Sequence, residues 1–413
     1  MTKQPELARR LDTTDAVVIG LGSMIGAGVF AAFGPAARAA GAGLLIGLGL
    51  AAVIAYCNAT SSAQLAAVYP TSGGTYIYGR ERLGPWWGFI AGWGFVIGKT
   101  ASCAAMALTV AAYAVPGAPV WVQRAVAVAA VAVLTTLNYR GVTKTALLAR
   151  ILLVCTMIAL AAVVVGIVAG KHDPSQLSGA WRTGSVYGVL QSAGLMFFAF
   201  AGYARIATMG EEVRDPARTI PRAITIALAI AVVLYAVVGV TALLAVGPDR
   251  LARAAAPLAE AVRAAGHPAL VPVISAGAAL ASMGALLALI AGLGRTMLAM
   301  ARHRDLPAWL AAVHPEHRVP HHAEIAIGVV VCALVSMVDL RGVIGFSSFG
   351  VLIYYAIANA AAITLRRRRA VNSCGLAGCL VLVATLPWES AVAGLTVFVV
   401  GVAGRAVLLA ARR

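Results

Sequence analysis

An apolar run long enough to cross a bilayer is interrupted near its middle. In Asp15-Ala-Val-Val-Ile-Gly-Leu-Gly-Ser-Met-Ile-Gly-Ala-Gly-Val-Phe30 the interruptions are Gly20, Gly22, Gly26 and Gly28. An unpaired backbone amide in hydrocarbon costs several kcal/mol, so a spanning helix normally keeps its hydrogen bonds closed. Clustered glycines let the helix open. An opened helix persists at membrane depth only where it lines a cavity or is buried in protein, which makes this segment a candidate binding site. Close helix packing through small residues is a second reading for Gly22 and Gly26. A dinucleotide-binding loop is a third, but the spacing Gly-x-Gly-x-x-x-Gly is one residue off the fingerprint. No acidic residue follows before Glu81 to meet a ribose.

The rest of the chain agrees with a membrane protein. Of 413 residues, 61% are hydrophobic and 11% are charged, where a soluble domain carries about 25% charged residues. The pattern predicts an all-α integral membrane protein of twelve spans, each near the length of a hydrocarbon core. They cover approximately 15–39, 42–67, 86–114, 120–138, 143–169, 186–210, 220–246, 269–301, 321–338, 342–365, 372–387 and 390–410. No polar stretch is long enough for a separate soluble domain, so residues 1–413 form one transmembrane domain. No A-x-A site ends a short apolar region near the N-terminus, so that segment does not read as a cleavable signal.

The net charge of +17 lies between the apolar runs rather than in one patch. Topology explains that distribution better than nucleic acid does. With the N-terminus inside, 21 of the 32 Lys and Arg fall on inner segments, including Arg405, Arg412 and Arg413 at the end of the chain. Eight fall on outer segments, and Lys99, Arg205 and Arg295 lie within spans. Both termini are therefore expected in the cytoplasm, with the protein in the plasma or inner membrane. The six cysteines show no zinc-type pair of pairs. Nothing in the sequence sets an oligomeric state.

A second interrupted span is the sixth, where Gly194 and Gly202 flank an aromatic cluster in Leu195-Met-Phe-Phe-Ala-Phe-Ala-Gly-Tyr-Ala-Arg205. Spans one and six correspond if the chain is two five-span halves, 1–169 and 186–365, followed by two additional helices in 372–410. A matched pair of broken spans points to a transporter site at the midplane. Opening the first span frees N–H groups near Ser23–Gly28 and aims a helix N-terminus at the cavity, which suits a carboxylate. Carbonyls of the broken sixth span suit an ammonium group. A zwitterionic α-amino acid matches both.

Lys99 lies deep in the third span, where an ionisable residue is a functional candidate by default. It reads either as a group that exchanges a proton during transport or as a structural amine bonded to carbonyls of a broken helix. Arg205 and Arg295 lie nearer the inner ends of their spans, where snorkelling or ion pairing is expected. Glu211 and Glu212 close span six as partners for them or as part of an inner gate. No Asp or Glu stands in the middle of any span. His314, His317, His321 and His322 share a loop with Glu316, which reads as a solvated loop rather than a metal site. Neither a Ser/His/Asp arrangement nor paired carboxylates support an enzyme, and no cofactor or metal is expected. No Gly-x-x-x-x-Gly-Lys-[Ser/Thr] loop supports ATP-driven pumping.

Four blocks in order resemble the amino acid–polyamine–organocation superfamily, in particular bacterial relatives of the cationic amino acid transporters. They are Gly22-Ser-Met-Ile-Gly-Ala-Gly-Val-Phe30; Pro70-Thr-Ser-Gly-Gly-Thr-Tyr-Ile-Tyr78 with Leu83-Gly84; Phe197-Phe-Ala-Phe-Ala-Gly202 running to Glu211-Glu-Val-Arg-Asp-Pro216 and Ile220-Pro-Arg222; and Arg295-Thr-Met-Leu-Ala-Met-Ala-Arg302 with Asp305-Leu-Pro307. The resemblance implies a five-plus-five inverted repeat with discontinuous helices 1 and 6, two C-terminal helices, and alternating access of an amino acid. It places the carboxylate-binding turn on Met24, Ile25, Gly26, Ala27 and Gly28. It places the amine-binding carbonyls near Phe197, Phe198, Ala199 and Phe200, with Phe198, or alternatively Phe200, as an aromatic lid.

Two departures from the family bear on coupling. Proton-coupled relatives carry a lysine midway along span five, where this chain has Thr156. Relatives that carry cationic amino acids often have a glutamate in span three near Gly98, where this chain has Lys99. Lys99 is thus a candidate replacement for the span-five amine, and a cationic substrate would find no core carboxylate. The expected function is secondary transport of an amino acid, proton-coupled or by exchange. The rivals are an amine or polyamine antiporter on the same fold, and a membrane sensor or accessory subunit without turnover. Besides the amino acid, the expected partner is membrane lipid, and no nucleic acid.

Overall fold

A computed structural model describes residues 11–69, 73–141, 146–178, 185–207, 209 and 212–410. Among these residues there is no strand, and an isolated parallel bridge joins Leu11 to Val213. The first span is α1 (Thr13–Met24), α2 (Ala27–Ala31) and α3 (Phe33–Ala40). Asp12 starts α1 by accepting the Asp15 N–H at 2.8 Å, and the Asp15 carboxylate accepts the Asp12 N–H in return at 3.4 Å. This reciprocal bonding satisfies amides that no helix turn can reach. The chain turns at Gly41, whose φ of 59° favours glycine.

There follow α4 (Leu44–Val68), the short α5 (Gly74–Leu83), α6 (Pro85–Ala114), α7 (Val120–Tyr139), α8 (Ala146–Ala169) and α9 (Ser175–Ser178). The sixth span is α10 (Val186–Phe200), a 3₁₀ turn at Ala201–Tyr203, and α11 (Ala204–Ala207). Then come α12 (Pro216–Arg253), α13 (Pro257–Ala264), α14 (Val271–Arg302), α15 (His321–Met337), α16 (Leu340–Ile363), α17 (Arg369–Thr385) and α18 (Trp388–Ala410). Gly247, at φ 69°, breaks α12, so the seventh span ends where the hydropathy falls.

Ten stretches are long and apolar enough to cross a membrane, and α15 and α17 are shorter apolar helices of 17 residues each. At 1.5 Å per residue those two reach about 25 Å, the lower end of what spans a bilayer. The twelve expected spans are thus present as helices, and spans one and six are both discontinuous. Trp86, Trp87 and Trp309 are exposed at the end that carries the N-terminus, and Trp121 and Trp388 at the other. Amphipathic indole rings favour those two interfaces.

Small residues let the central helices approach. A Cβ on Gly94 would lie 2.9 Å from the Gly350 carbonyl oxygen, and one on Gly98 would lie 3.0 Å from that of Ser347. Helix α6 thereby beds into α16, and the buried Ser102 and Ser347 hydroxyls meet at 2.7 Å. Helices α1, α2 and α10 lie inside this frame, against α4, α6, α8, α12 and α14.

Candidate functional site

Helix α1 stops at Met24, and Ile25 (φ −83°, ψ 64°) and Gly26 (φ −114°, ψ −134°) leave helical geometry before α2 begins at Ala27. The Ile25 N–H still reaches Leu21 O at 2.7 Å, while the Gly26 N–H folds back on Met24 O at 2.9 Å. The first amides of the resumed helix have no acceptor one turn earlier. In the sixth span, Phe197, Phe198, Ala199 and Phe200 are the last four residues of α10. The last four carbonyls of a helix lack a full set of α-helical donors, and here a 3₁₀ turn follows directly, while Ala199 O is also within reach of the Tyr235 hydroxyl. The break falls just after them, at Ala201–Tyr203, and the helix runs unbroken through Gly194.

The two breaks face each other. A Cβ on Gly28 would lie 2.6 Å from Ala199 Cα, and one on Gly202 would lie 2.3 Å from Ser23 O. Tyr235 of α12 joins them: its hydroxyl lies 2.8 Å from Met24 O and 3.1 Å from Ala199 O, and donates its one proton between the two. Lys99 reaches the sixth span from α6, and its Nζ donates to Ala201 O at 3.1 Å. Phe197 packs edge-on against Tyr355 at 5.8 Å between ring centroids, and the Phe200 ring lies tilted against Tyr235 at 5.1 Å. Both are fully buried, whereas Phe198 keeps 7% of its surface.

The four glycines of the first span differ in kind. Gly26 abuts Ala285 of α14 and Gly28 abuts Ala199, so close packing applies to both. A Cβ on Gly22 would meet nothing within 4 Å, because Gly22 lines a cavity.

That cavity, about 220 Å³, lies between α1, α8 and α14. Ser23, Ile25 and Thr156 line it, and Arg205, Glu212 and Arg295 border it at the end nearer the N-terminus. Arg205 Nη2 pairs with Glu212 Oε1 at 3.3 Å. Glu211 lies outside the described residues. Thr156 donates to Leu152 O of its own helix at 2.7 Å. Among the described residues Thr156 lines this cavity and Lys99 does not. At the N-terminal end Asp15 of α1 pairs with Arg150 of α8.

The opposite end is covered. The Tyr113 hydroxyl donates to Phe30 O at 2.9 Å and accepts the Leu258 N–H at 3.2 Å, tying α2 beneath α13. Glu260 of α13 binds Arg250 at 2.6 Å and Arg263 at 2.8 Å. The cavity and the cover thus lie at opposite ends of the broken first span.

Three features escape a reading by sequence alone. Tyr235 is one, although a tyrosine inside an apolar span is itself a signal, since its hydroxyl must find a partner there. Glu324 is another: it stands at the start of span nine, yet it is 2% exposed and packs on Gly294, and its Oε2 has no hydrogen-bond partner among the described residues. The third corrects the topology count. Arg405 is no loop charge but lies within α18, 4% exposed, with Nη2 2.8 Å from Asp305 Oδ1. Asp305 also accepts Tyr76 Oη at 2.8 Å and Arg80 Nη1 at 3.3 Å. Burial, then the neighbouring carboxylate, push the Tyr76 phenol above its ordinary range, so it remains a donor. The histidine rings of 314, 317 and 321 gather around Tyr139, His322 packs on His321 and Trp309, and the described residues include no group of three or more His, Cys, Asp or Glu placed to hold a metal ion.

The bridge through Tyr235 makes a direct prediction. Tyr235→Phe removes the one donor shared by Met24 O, which keeps the Gly26 N–H, and Ala199 O, a loss of about 1–3 kcal/mol. The variant is expected to melt earlier than the unmodified protein by intrinsic fluorescence. An unchanged melting temperature would remove the bridge from the account.

The chain matches the family model described as amino acid permease over residues 11–408. It is similar to an uncharacterized transporter of Mycobacterium tuberculosis, 61% identical over 404 residues that cover 96% of this chain and 91% of the relative. It is also similar to the branched-chain amino acid permease BcaP of Bacillus subtilis, at 27% identity over 437 residues covering 96% and 92%. A methylthioribose transporter of Bacillus subtilis is 28% identical over 387 residues, covering 89% and 83%.

Proposed function

The chain belongs to the amino acid permease family and is a multi-pass membrane transporter, and on that premise we propose that it carries an α-amino acid by alternating access. The observation that carries this reading is the meeting of two helix breaks of opposite polarity, joined by the Tyr235 hydroxyl. The amides of Ala27 and Gly28, at the start of α2, grip the carboxylate, and Met24, Ile25 and Gly26 shape the turn that aims them, since the Ile25 and Gly26 N–H groups are bonded to Leu21 O and Met24 O. The carbonyls of Phe197, Phe198, Ala199 and Phe200 take the ammonium group, which competes with Tyr235 for Met24 O and Ala199 O. Phe198, the one of the three phenylalanines with surface left, is the lid.

In this reading residues 1–169 and 186–365 are inverted repeats and 372–410 are accessory. Both termini are cytoplasmic in a cell membrane. The covered end under α13 is the outside, and the cavity reaching Ser23 and Ile25 is the inner approach. Arg205 and Glu212, with Arg295, form the inner gate, and Thr156 faces the approach in place of the lysine of proton-coupled relatives. Transport is proton-coupled or by exchange.

Uptake of radiolabelled amino acids into proteoliposomes of the purified protein tests this. One or more amino acids should accumulate or exchange, and their decarboxylated analogues should compete poorly, because they leave the first-span amides unused. Flux in proteoliposomes holding this protein alone also separates a transporter from an accessory subunit. The methylthioribose relative favours a second reading, a substrate without an α-carboxylate. Equal competition by the amine would establish that reading instead.

Lys99 acts here as a strut for the sixth-span turn, since its amine is bonded to Ala201 O. Lys99→Met should then lower uptake by a similar factor at every pH. A flattened pH profile would make Lys99 the proton carrier and overturn the strut.

A further inference from the structure

A second hollow lies on the surface of the bundle, at the end that carries the N-terminus. It measures about 580 Å³ and runs between α4, α12 and the turn that leads into α17. Tyr56, Ala63 and Ile226 give it an apolar wall. Tyr56 and Ile226 are 46% and 45% exposed, on spanning helices whose outer faces meet lipid. Arg222, Arg367 and Arg368 line the hollow as well, and among the described residues no Asp or Glu does.

None of the three arginines has an ion pair among the described residues. Their placement is built. Arg368 is held at φ 45° and the neighbouring Arg366 at φ 60°, a region that side-chain-bearing residues rarely adopt. The Arg367 carbonyl accepts from Asn372 Nδ2 at 3.0 Å. Asn372 Oδ1 in turn accepts from Ser61 at 2.9 Å and from Gln64 at 3.1 Å, and Gln64 also lines the hollow. The buried polar contacts of α4 thus fix the turn that presents the arginines.

An apolar groove on a membrane-facing surface with unpaired guanidinium groups at its edge complements one kind of molecule, an anion that carries hydrocarbon. We propose that this hollow binds an anionic phospholipid. Arg222, Arg367 and Arg368 hold the headgroup phosphate through the forked donor geometry that suits phosphate oxygens. One acyl chain lies along Tyr56, Ala63 and Ile226. Basic pockets between spanning helices recognise acidic headgroups by the same physics. The site is independent of the substrate site, so a failure of the transport reading leaves it standing.

The test compares melting temperatures in nanodiscs of phosphatidylcholine with and without phosphatidylglycerol. A ligand that binds the folded protein raises its melting point by mass action. The unmodified protein should gain stability with phosphatidylglycerol, and the triple variant Arg222→Gln, Arg367→Gln, Arg368→Gln should lose most of that gain. The triple variant Arg140→Gln, Arg302→Gln, Arg318→Gln removes the same charge from elsewhere at the same end and should keep it. Equal loss in both variants would show diffuse surface charge and overturn the site. The same stabilisation from free glycerol phosphate added to phosphatidylcholine nanodiscs would make it a free-phosphate site and overturn the lipid. A phosphatidylglycerol with a photoreactive acyl chain, applied to the unmodified protein, keeps the test independent of variant folding. Labelling should fall on peptides of α4 or α12, and labelling confined to other helices refutes the proposal.

Discussion

Replacing Gly28 by alanine is expected to cut initial uptake in proteoliposomes about tenfold or more, the effect of an overpacking penalty of about 1–3 kcal/mol. The added Cβ would lie 2.6 Å from Ala199 Cα and 2.7 Å from Ala199 Cβ. Those atoms belong to the frame of α10, not to the far end of a flexible side chain, so the two broken spans must move apart. Their separation would misplace the Gly28 amide against the Ala199 carbonyl, the two kinds of group on which the proposed site depends. The contrast is Gly22→Ala. A Cβ there meets nothing within 4 Å, and Gly22 lies inside α1. Alanine is favoured over glycine in a helix interior by about 1 kcal/mol, so this variant should transport normally and melt no lower. Equal losses at both positions would mean that the glycines act through flexibility and that the Gly28–Ala199 contact is incidental.

Asp305→Ala is expected to give the largest fall in stability of the single changes considered, about 3–5 kcal/mol, because it strands a buried partner. Arg405 is 4% exposed and Asp305 is 3% exposed. The Arg405 guanidinium stacks over Trp86 and Phe89, 4.3 Å and 4.9 Å from the ring centroids. Without the carboxylate it keeps those rings but loses its counter-charge, and Tyr76 loses its acceptor. The double variant Asp305→Asn, Arg405→Met removes both charges and leaves side chains of similar volume. Replacing a buried pair in this way is often neutral, so the double variant should recover more than half of the loss. Thermal unfolding in detergent measures all three proteins. A double variant no more stable than Asp305→Ala alone would mean that the carboxylate acts through Tyr76 and Arg80 rather than Arg405.

The twelve spans and both broken helices were legible in the sequence because their causes are local. Apolar length sets a span, and clustered small residues mark where it opens. The facing of the two breaks was legible only as a correspondence of position. Which atoms close that contact was not. Met24 and Tyr235 stand 211 positions apart, Lys99 and Ala201 stand 102 apart, and Asp305 and Arg405 stand 100 apart. Hydropathy therefore reads Arg405 as one more inner-side cation, whereas packing buries it.

By itself the sequence determined that the chain crosses the membrane as helices, and that two of those helices break where backbone groups are freed. The tertiary structure alone decided that Gly28 touches Ala199 while a Cβ on Gly22 would meet nothing within 4 Å, and that Lys99 bonds the Ala201 carbonyl of the sixth span. The reason is physical. A helix forms from bonds among near neighbours along the chain, but a polar group in a membrane core must take its partner from whichever helix packs against it.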